Sequence, residues 1–344
     1  MQSCGIAIES TEVIRLGHGS GGKLTEQLVE RIFLPKLGNP ILNELDDAAA
    51  LQFGKTRLAI STDSYVVNPL FFPGGDIGSL SVHGTVNDLS MKLARPLYLS
   101  VSFIIEEGYS MIELDRIVDS FSRAAKEAEV QVVAADTKVV NRGAGDGVYV
   151  NTTGIGIIEV KHSPSANKAK PGDVIVVSGD LGCHGIAILC ARDELELETD
   201  LKSDSASLHR LALKLSQFGP AIHCMRDLTR GGLSSALNEI AHASGIGMEI
   251  NDADVPINAS VRGACELLGL DPLYVACEGR FVCIVAPEAA EAVLDALKHD
   301  ELGRDSQIIG RVTSDHPGRV VTRTSIGGRR IVDKLSGDQL PRIC

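Results

Sequence analysis

Apolar residues alternate with polar ones, or run unbroken for four to eight positions, in a series of short stretches. Between those stretches they recur at three- and four-residue spacing, so the pattern predicts strands interleaved with amphipathic helices. Strands are expected at Thr11–Leu16, Arg57–Ser64, Tyr98–Ile105, Gln131–Lys138 and Tyr149–Ile158. The first helix carries Leu24, Leu28, Ile32 and Phe33 on one face; others cover 84–92 and about 111–129, the latter with Leu114, Ile117, Val118, Phe121 and Ala125 on one side. A polar, Pro-containing connection at 161–172 marks a domain boundary. Beyond it the pattern resumes with a strand and Gly turn at 173–182, then helices around 185–191, 205–218, 233–244, 260–268 and 289–298. Two strands are expected within 273–285, meeting at Glu278-Gly279, followed by a strand at 307–312 and a hairpin through Gly327-Gly328. No short internal repeat is evident. The expectation is an α/β protein of two domains. Its divisions are 1–42 (a glycine-rich segment and helix), 43–160, 173–318, and a hairpin and tail over 319–344.

Composition narrows the function classes. At 344 residues and 44% hydrophobic content the chain can bury two cores, and 35 Gly with 4% aromatic residues and no Trp suit backbone turns folded closely around ligands. The net charge of -12 argues against nucleic acid, which calls for clustered Lys and Arg. No apolar run reaches the ~18 residues of a membrane span. The N-terminal Met-Gln-Ser-Cys-Gly-Ile has no signal-peptide pattern, so a cytoplasmic protein is expected. The cysteines at 4, 183, 190, 224, 265, 277, 283 and 344 form no Cys-x-x-Cys pair, which leaves a zinc site unsupported and a disulfide framework unexpected. Cys277 and Cys283 lie in apolar sequence and read as small buried hydrophobes.

Three groups of residues carry candidate chemistry. The first is Gly17-His-Gly-Ser-Gly-Gly-Lys23, a glycine turn opening a helix, where bare N–H groups can face a phosphate. It approaches the P-loop pattern, but Leu24 stands where a Ser or Thr would hold magnesium, so Gly19, Gly21, Gly22 and Lys23 are kept as a phosphate-facing loop outside that class; a mobile linker is the alternative. The second group is acidic: Asp46-Asp47, Asp63, Asp88, Asp136 and Asp227, several of them at the ends of apolar elements. Singly each reads as a cap or turn residue. Together, beside a glycine loop, they suit a magnesium–nucleotide site, because magnesium takes a few carboxylates and completes its shell with phosphate and water. The third group comprises Glu278, which is either a buried general base or a turn residue facing water, and Cys344. The tail Leu335-Ser-Gly-Asp-Gln-Leu-Pro-Arg-Ile-Cys344 has Gly337 for freedom and Pro341 to stiffen its end. It is a short arm with a nucleophile at its tip, or a frayed terminus.

The blocks Gly17–Lys23, Asp46-Asp-Ala-Ala, Ser61-Thr-Asp63, Val86-Asn-Asp88, Ala135-Asp136-Thr-Lys138 and Asp227-Leu-Thr-Arg-Gly-Gly232 resemble the nucleotide-site blocks of the aminoimidazole ribonucleotide synthetase (PurM-like) superfamily. With the terminal Pro341-Arg342-Ile343-Cys344, the chain resembles the hydrogenase maturation family HypE over nearly its whole length. The resemblance implies two α/β domains, the second a sandwich, a flexible C-terminal tail, and homodimerisation through the sheets of the N-terminal domains. It implies ATP and Mg2+ as cofactors, with Asp46, Asp47, Asp63, Asp88, Asp136 and Asp227 as the carboxylates from which the metal ligands come. It implies that a carbamoyltransferase, HypF, loads a carbamoyl group on Cys344, which ATP then converts to a thiocyanate. The cyano group would pass to iron on a HypC–HypD scaffold and become a ligand of the nickel–iron hydrogenase centre. By the same resemblance Glu278 is the base and Lys138 stabilises the activated carbamoyl oxygen.

Rival readings remain open from sequence. Selenophosphate synthetase uses a reactive residue near its N-terminus, where Cys4 stands, though without that family's Cys-Gly-Lys context. Purine ring closure or thiamine-phosphate phosphorylation leaves Cys344 unexplained. The chain could also be a non-catalytic carrier whose arm swings while ATP regulates docking, or a redox sensor using Cys344.

Overall fold

The computed structural model describes residues 13–192, 199–337, 340 and 342–344. Of the strand expected at 11–16, residues 11 and 12 lie outside the described residues, 13–15 are irregular, and Leu16 opens a 3-10 turn over Leu16–Gly19. A helical stretch follows, α1 (Lys23–Leu28) and α2 (Leu34–Leu37), joined through a π turn at Val29–Phe33. Ile32, Phe33 and Leu37 on it are exposed, so its apolar stripe belongs to neither core.

The first domain contains β1 (Ala49–Phe53), β2 (Thr56–Tyr65), a small hairpin of β3 (Phe71–Phe72) and β4 (Gly75–Asp76), α3 (Ile77–Met91), β5 (Ala94–Glu106), α4 (Met111–Glu127), β6 (Gln131–Val140) and β7 (Val148–Ile158). Its five-stranded sheet has the order β1-β2-β7-β5-β6. Only β5 and β6 run parallel, as a pair joined by a helical crossover must. The side chain of Asp76 caps α3 by accepting from the Gly78 and Ser79 amides at 2.8 and 3.0 Å. Alternation along the strands sends Leu99, Val101, Val148 and Val150 into the core under the helices. The opposite set, including Tyr98, Ile104 and Ile155, stays 41%, 39% and 37% exposed, so this sheet face is open in the single chain. Along β6 nearly every residue is exposed.

The second domain contains β8 (Val174–Val177), α5 (Cys183–Cys190), α6 (His209–Lys214), β9 (Ile222–Asp227), α7 (Gly232–Ser244), β10 (Gly247–Asn251), α8 (Ala259–Leu268), β11 (Phe281–Val285), α9 (Ala290–Lys298), β12 (Gln307–Thr313), β13 (Val320–Arg323) and β14 (Arg329–Val332). The sheet order is β14-β13-β10-β12-β8-β11-β9. Helices cover both faces, so β11, flanked by β8 and β9, is buried throughout: Val282 and Ile284 face one core, while Phe281, Cys283 and Val285 face the other. Only one strand forms within 273–285. Pro272–Tyr274 is a 3-10 turn, and 275–280 bonds sideways to other loops: the Cys277 amide donates to the Leu228 carbonyl and the Glu278 amide to Asp204 Oδ1, at 2.8 and 2.9 Å.

The connection at 161–172 is not a loose linker. Ser163, Ser165 and Ala166 are buried, and Asp46 accepts from Ser165 Oγ at 2.7 Å, from the Ala166 amide at 2.9 Å and from the Lys92 amine. Helix α3 is buried on both sides, because Asn87 bridges the domains. Its amide donates to the Ala206 and Glu278 carbonyls at 3.0 and 3.2 Å, and its Oδ1 accepts from the Leu208 amide at 2.7 Å.

Candidate active site

The seam between the domains collects carboxylates from both. Asp47 precedes β1, Asp63 sits near the end of β2, Asp88 is on α3, Asp227 ends β9, and Glu278 is in the 275–280 loop. Burial and the neighbouring acids push several of them upward. Asp47 is raised to about 8 by burial and by Asp227 and Glu239, against the opposing pull of Arg226, whose Nε lies 3.4 Å from it. Asp88 is raised well above the carboxylate range by burial, Asp227, Asp63 and Asp47, although Ser61 Oγ donates to it. Burial also raises Asp63 and Asp227. The opposing influences are Arg230 on Asp63, and on Asp227 the neighbouring Asp88 carboxyl and Arg226. Asp88 and Asp227 thus influence each other across the seam as an acid pair.

Glu278 is 2% exposed, its Oε1 has no hydrogen-bond partner, and burial with Asp227, Asp63 and Asp204 raises it well above the ordinary glutamate value. Cys344 lies in the same place. It is 8% exposed, with Ile343 beside it in the core of the first domain. Burial pushes its thiol up, Arg230 opposes this, and Glu278, Asp63 and Asp227 push it further. The arm expected from sequence is thus docked inward, its thiol facing the acid cluster; Pro341 lies outside the described residues. Arg230 is the cation that faces Cys344 and Asp63, as Arg226 faces Asp47. Its charge is stabilised first by Cys344, then by Asp63, Glu278 and Asp88, and its Nη1 donates to the Gly19 carbonyl at 3.0 Å. Sequence reading passed over Arg230, although it stands inside the quoted Asp227–Gly232 block; a cation next to the Gly231-Gly232 pair was its signal. A cavity of about 170 Å³ opens beside the thiol, lined by Arg230, Ser64, Val66, Tyr274, Leu16 and Cys344 among others.

Other expected residues are placed differently. Asp46 has both oxygens engaged by Lys92, Ser165 and Ala166; burial works to raise it, but Lys92 and these bonds leave it lowered. It clamps the domains, and Asp47 is the member of the pair that faces the acids. In the glycine loop the Gly21 amide donates to Thr25 Oγ1, the Lys23 amide to the Leu335 carbonyl, and the Lys23 amine pairs with Asp333 at 2.5 Å. Gly21 has φ +74°, and a Cβ there would meet the Arg230 carbonyl at 2.7 Å, so close packing explains this glycine. Around Gly19 there is open space.

Asp136 and Lys138 pair with each other at 2.8 Å on exposed β6, 61% and 67% exposed. The register runs Asp63 to Thr152, Thr152 to Val101 and Val101 to Ala135, so Lys138 lies three strand spacings from Asp63, about 14 Å across the sheet, and three residues further along. The single chain does not bring these two residues to the acid cluster. Cys4 lies outside the described residues.

Among the described residues no group of three or more His, Cys, Asp and Glu side chains is set to hold a metal ion by itself. Yet the cluster is all oxygen, and the buried Asp227 Oδ2 has no partner, which suits a hard cation that brings most of its ligands with it. A second cavity, of about 470 Å³, has apolar walls (Ile41, Leu42, Leu45, Ile60) and a polar end at Asp46, Asp47 and Ser61, proportions that suit a purine nucleotide.

Two layered α/β domains with carboxylates gathered at their seam define a class, and the family comparisons give the same one. The AIR synthase related N-terminal domain matches residues 45–158, and the AIR synthase related C-terminal domain matches 170–323. The carbamoyl dehydratase HypE of Cupriavidus necator is 49% identical over 332 residues, covering 96% of this chain and 95% of that one. A crystal structure of the hydrogenase maturation protein HypE in complex with ATP is 50% identical, with a TM-score of 0.81 and coverage of 96% and 100%. A HypE–HypF complex gives 45% identity, a TM-score of 0.86, and coverage of 90% of this chain and 99% of that one. The chain belongs to the HypE family.

Proposed function

We propose that this protein dehydrates an S-carbamoyl group carried on its own Cys344, using ATP, to give the S-cyano group that becomes the cyanide ligand of a nickel–iron hydrogenase. The observation that carries the reading is the docking of Cys344 against Glu278 and Arg230 inside a seam of acids. Family membership supports ATP as co-substrate and HypF as the carbamoyl donor enzyme.

The chemistry balances with the residues present. The carbamoyl oxygen attacks the γ-phosphorus while one N–H proton leaves, giving an O-phosphorylated imidate and ADP. The C–O bond then breaks, phosphate departs, the second N–H proton is lost, and a C≡N bond remains on sulfur. An amide oxygen is a poor leaving group; phosphorylation makes it a good one. Glu278 receives the proton in this reading. Burial first, and then Asp227, Asp63 and Asp204, favour its neutral form in the nucleotide-free chain. Mg2+, arriving with the nucleotide, would be held by Asp47, Asp63, Asp88 and Asp227 and would neutralise phosphate charge. Neutralising those acids would lessen the repulsion that adds to burial in holding the Glu278 proton. Arg230 orients the sulfur-bound group.

Lys138 fits this scheme as a residue given to a second protomer. The open, apolar-rich face of the first sheet and the exposed β6 support homodimerisation there, which would carry Lys138 and Asp136 toward the partner's nucleotide. Release of the cyano group to a HypC–HypD complex and a cytoplasmic location complete the proposal; no described helix is long and apolar enough to cross a membrane. The test is intact mass after incubation with Mg-ATP, carbamoyl phosphate and HypF, with Cys344→Ala alongside. A carbamoyl adduct on Cys344 that loses the mass of water only with hydrolysable ATP is expected. ATP turnover unchanged in the Ala variant, with no adduct on the thiol, sinks the reading.

A further inference from the structure

The docked tail is held through three successive main-chain carbonyl groups as well as through the Arg342 and Ile343 side chains. Three consecutive carbonyl groups each receive a donor: Arg342 from the Asn68 amide and from Arg192, both at 3.1 Å, Ile343 from His184 Nε2 at 2.7 Å, and Cys344 from the Val66 amide at 3.0 Å. The pairing of 66 with 344 and of 68 with 342 makes the tail run antiparallel to the segment after β2. Arg342 adopts φ +54°, a left-handed conformation that a non-glycine residue takes only when its surroundings enforce it. Its guanidinium Nε donates to the Val66 carbonyl at 3.1 Å and its Nη1 pairs with Asp146. That turn directs Ile343 into the first-domain core and Cys344 toward Glu278.

His184 is fully buried on α5, edge-on to Phe72 with ring centroids 5.5 Å apart. The Ile343 oxygen can only accept, so Nε2 carries the hydrogen. Nδ1 then accepts from Ser203 Oγ at 2.7 Å, and Ser203 Oγ in turn accepts from the Ser205 amide at 3.0 Å. Burial pushes the imidazole down to about 4, so this donor pattern persists at neutral pH. A buried ring with both nitrogens committed, one of them to a tail that must leave to meet its partners, is not required for packing of α5.

We propose that His184, with Arg192, Asp146 and the 66–68 backbone, is a latch that recognises the tail's carbonyl groups and sets Cys344 against Glu278. His184 is thereby a positioning residue for the thiol. This rests on the proposed role of Cys344, but the latch is testable without it. In the full-length protein, iodoacetamide labelling resolved by peptide mass is expected to modify Cys344 more slowly than the partly exposed Cys190. His184→Ala removes one hydrogen bond and should speed Cys344 labelling about three- to tenfold while leaving Cys190 unchanged. His184→Gln, whose amide nitrogen can donate to the same carbonyl, should restore slow labelling. Asp146→Asn, at a half-exposed position, should speed it in the same direction without disturbing the core. Equal Cys344 rates in the wild type, His184→Ala and Asp146→Asn overturn the proposal. So does a general rise at all cysteines in His184→Ala with no change in Asp146→Asn. If labelling behaves as expected but no carbamoyl group ever reaches Cys344, the latch stands and the reading of the reaction fails.

Discussion

Replacing Glu278 by Gln separates two properties that the site combines. Folded and free of nucleotide, Glu278 is held neutral by burial and by Asp227, Asp63 and Asp204; unfolded, it ionises near its ordinary value of 4.5. A carboxyl that keeps its proton only when folded destabilises the fold progressively as pH rises above that value. The penalty grows by at most about 1.4 kcal/mol per pH unit until the folded group itself ionises. Glutamine has the same shape and no proton to lose. In urea unfolding with EDTA and no nucleotide, the variant should therefore match the wild type near pH 4.5 and exceed it increasingly toward pH 7.5. Its amide cannot accept the carbamoyl proton, so conversion of carbamoylated to cyanated Cys344 should fall about 10²- to 10⁴-fold. Parallel stability curves across that range would refute the buried neutral carboxyl. Dehydration within about threefold of wild type would refute the base.

Asp88→Asn should raise the thermal midpoint without Mg2+ by relieving the acid pair with Asp227, and should abolish any further rise on adding Mg-ATP, as read by calorimetry. Asp46→Ala strands the Lys92 charge in a buried site and should cost about 3–5 kcal/mol in urea unfolding at pH 7. Because Asp46 is lowered in the fold, its contribution is present above 3.8 and lost as pH falls through its folded value, so wild type and variant should converge in acid. Lys138→Ala lies on an exposed strand and should change stability by no more than about 0.5 kcal/mol while abolishing dehydration. Mixing it with Glu278→Gln protomers should restore partial activity if Lys138 serves the partner's site; a mixture as inactive as its components would count against that arrangement.

The strands with strict alternation, such as β7, and the helices with a clear apolar face, such as α4, were legible because one side of each meets a core and the other does not. The strand expected before Glu278 failed for the complementary reason. Its apolar residues are buried, but its backbone bonds go sideways to Leu228 and Asp204, and hydrophobicity alone carries no record of where N–H groups point. The chemical types at the site were readable, since acids at the ends of apolar elements are costly without a purpose. Which of them meet was not. Asp46 and Asp47 are adjacent in sequence, yet one faces Lys92 and the linker and the other faces Arg226. Asp136 and Lys138 sit within a block of the same kind as Asp63, but sheet order puts them on the far edge, and order across a sheet is a long-range property. The docked position of the tail depends on carbonyl groups, which every residue has, so no side-chain pattern announced it.

Burial of Ile343 in the first-domain core has a consequence for timing. An isoleucine side chain contributes about 1.5–3 kcal/mol on burial, so this side chain alone would favour the docked arm by about ten- to a hundredfold, before the tail's hydrogen bonds are counted. A partner that captures the extended arm would then bind with an apparent affinity weakened by that same factor, however good its own contacts. The core that shelters the thiol from stray electrophiles thus rations its availability, and a carbamoyl donor has to wait for the arm or supply the contacts that draw it out.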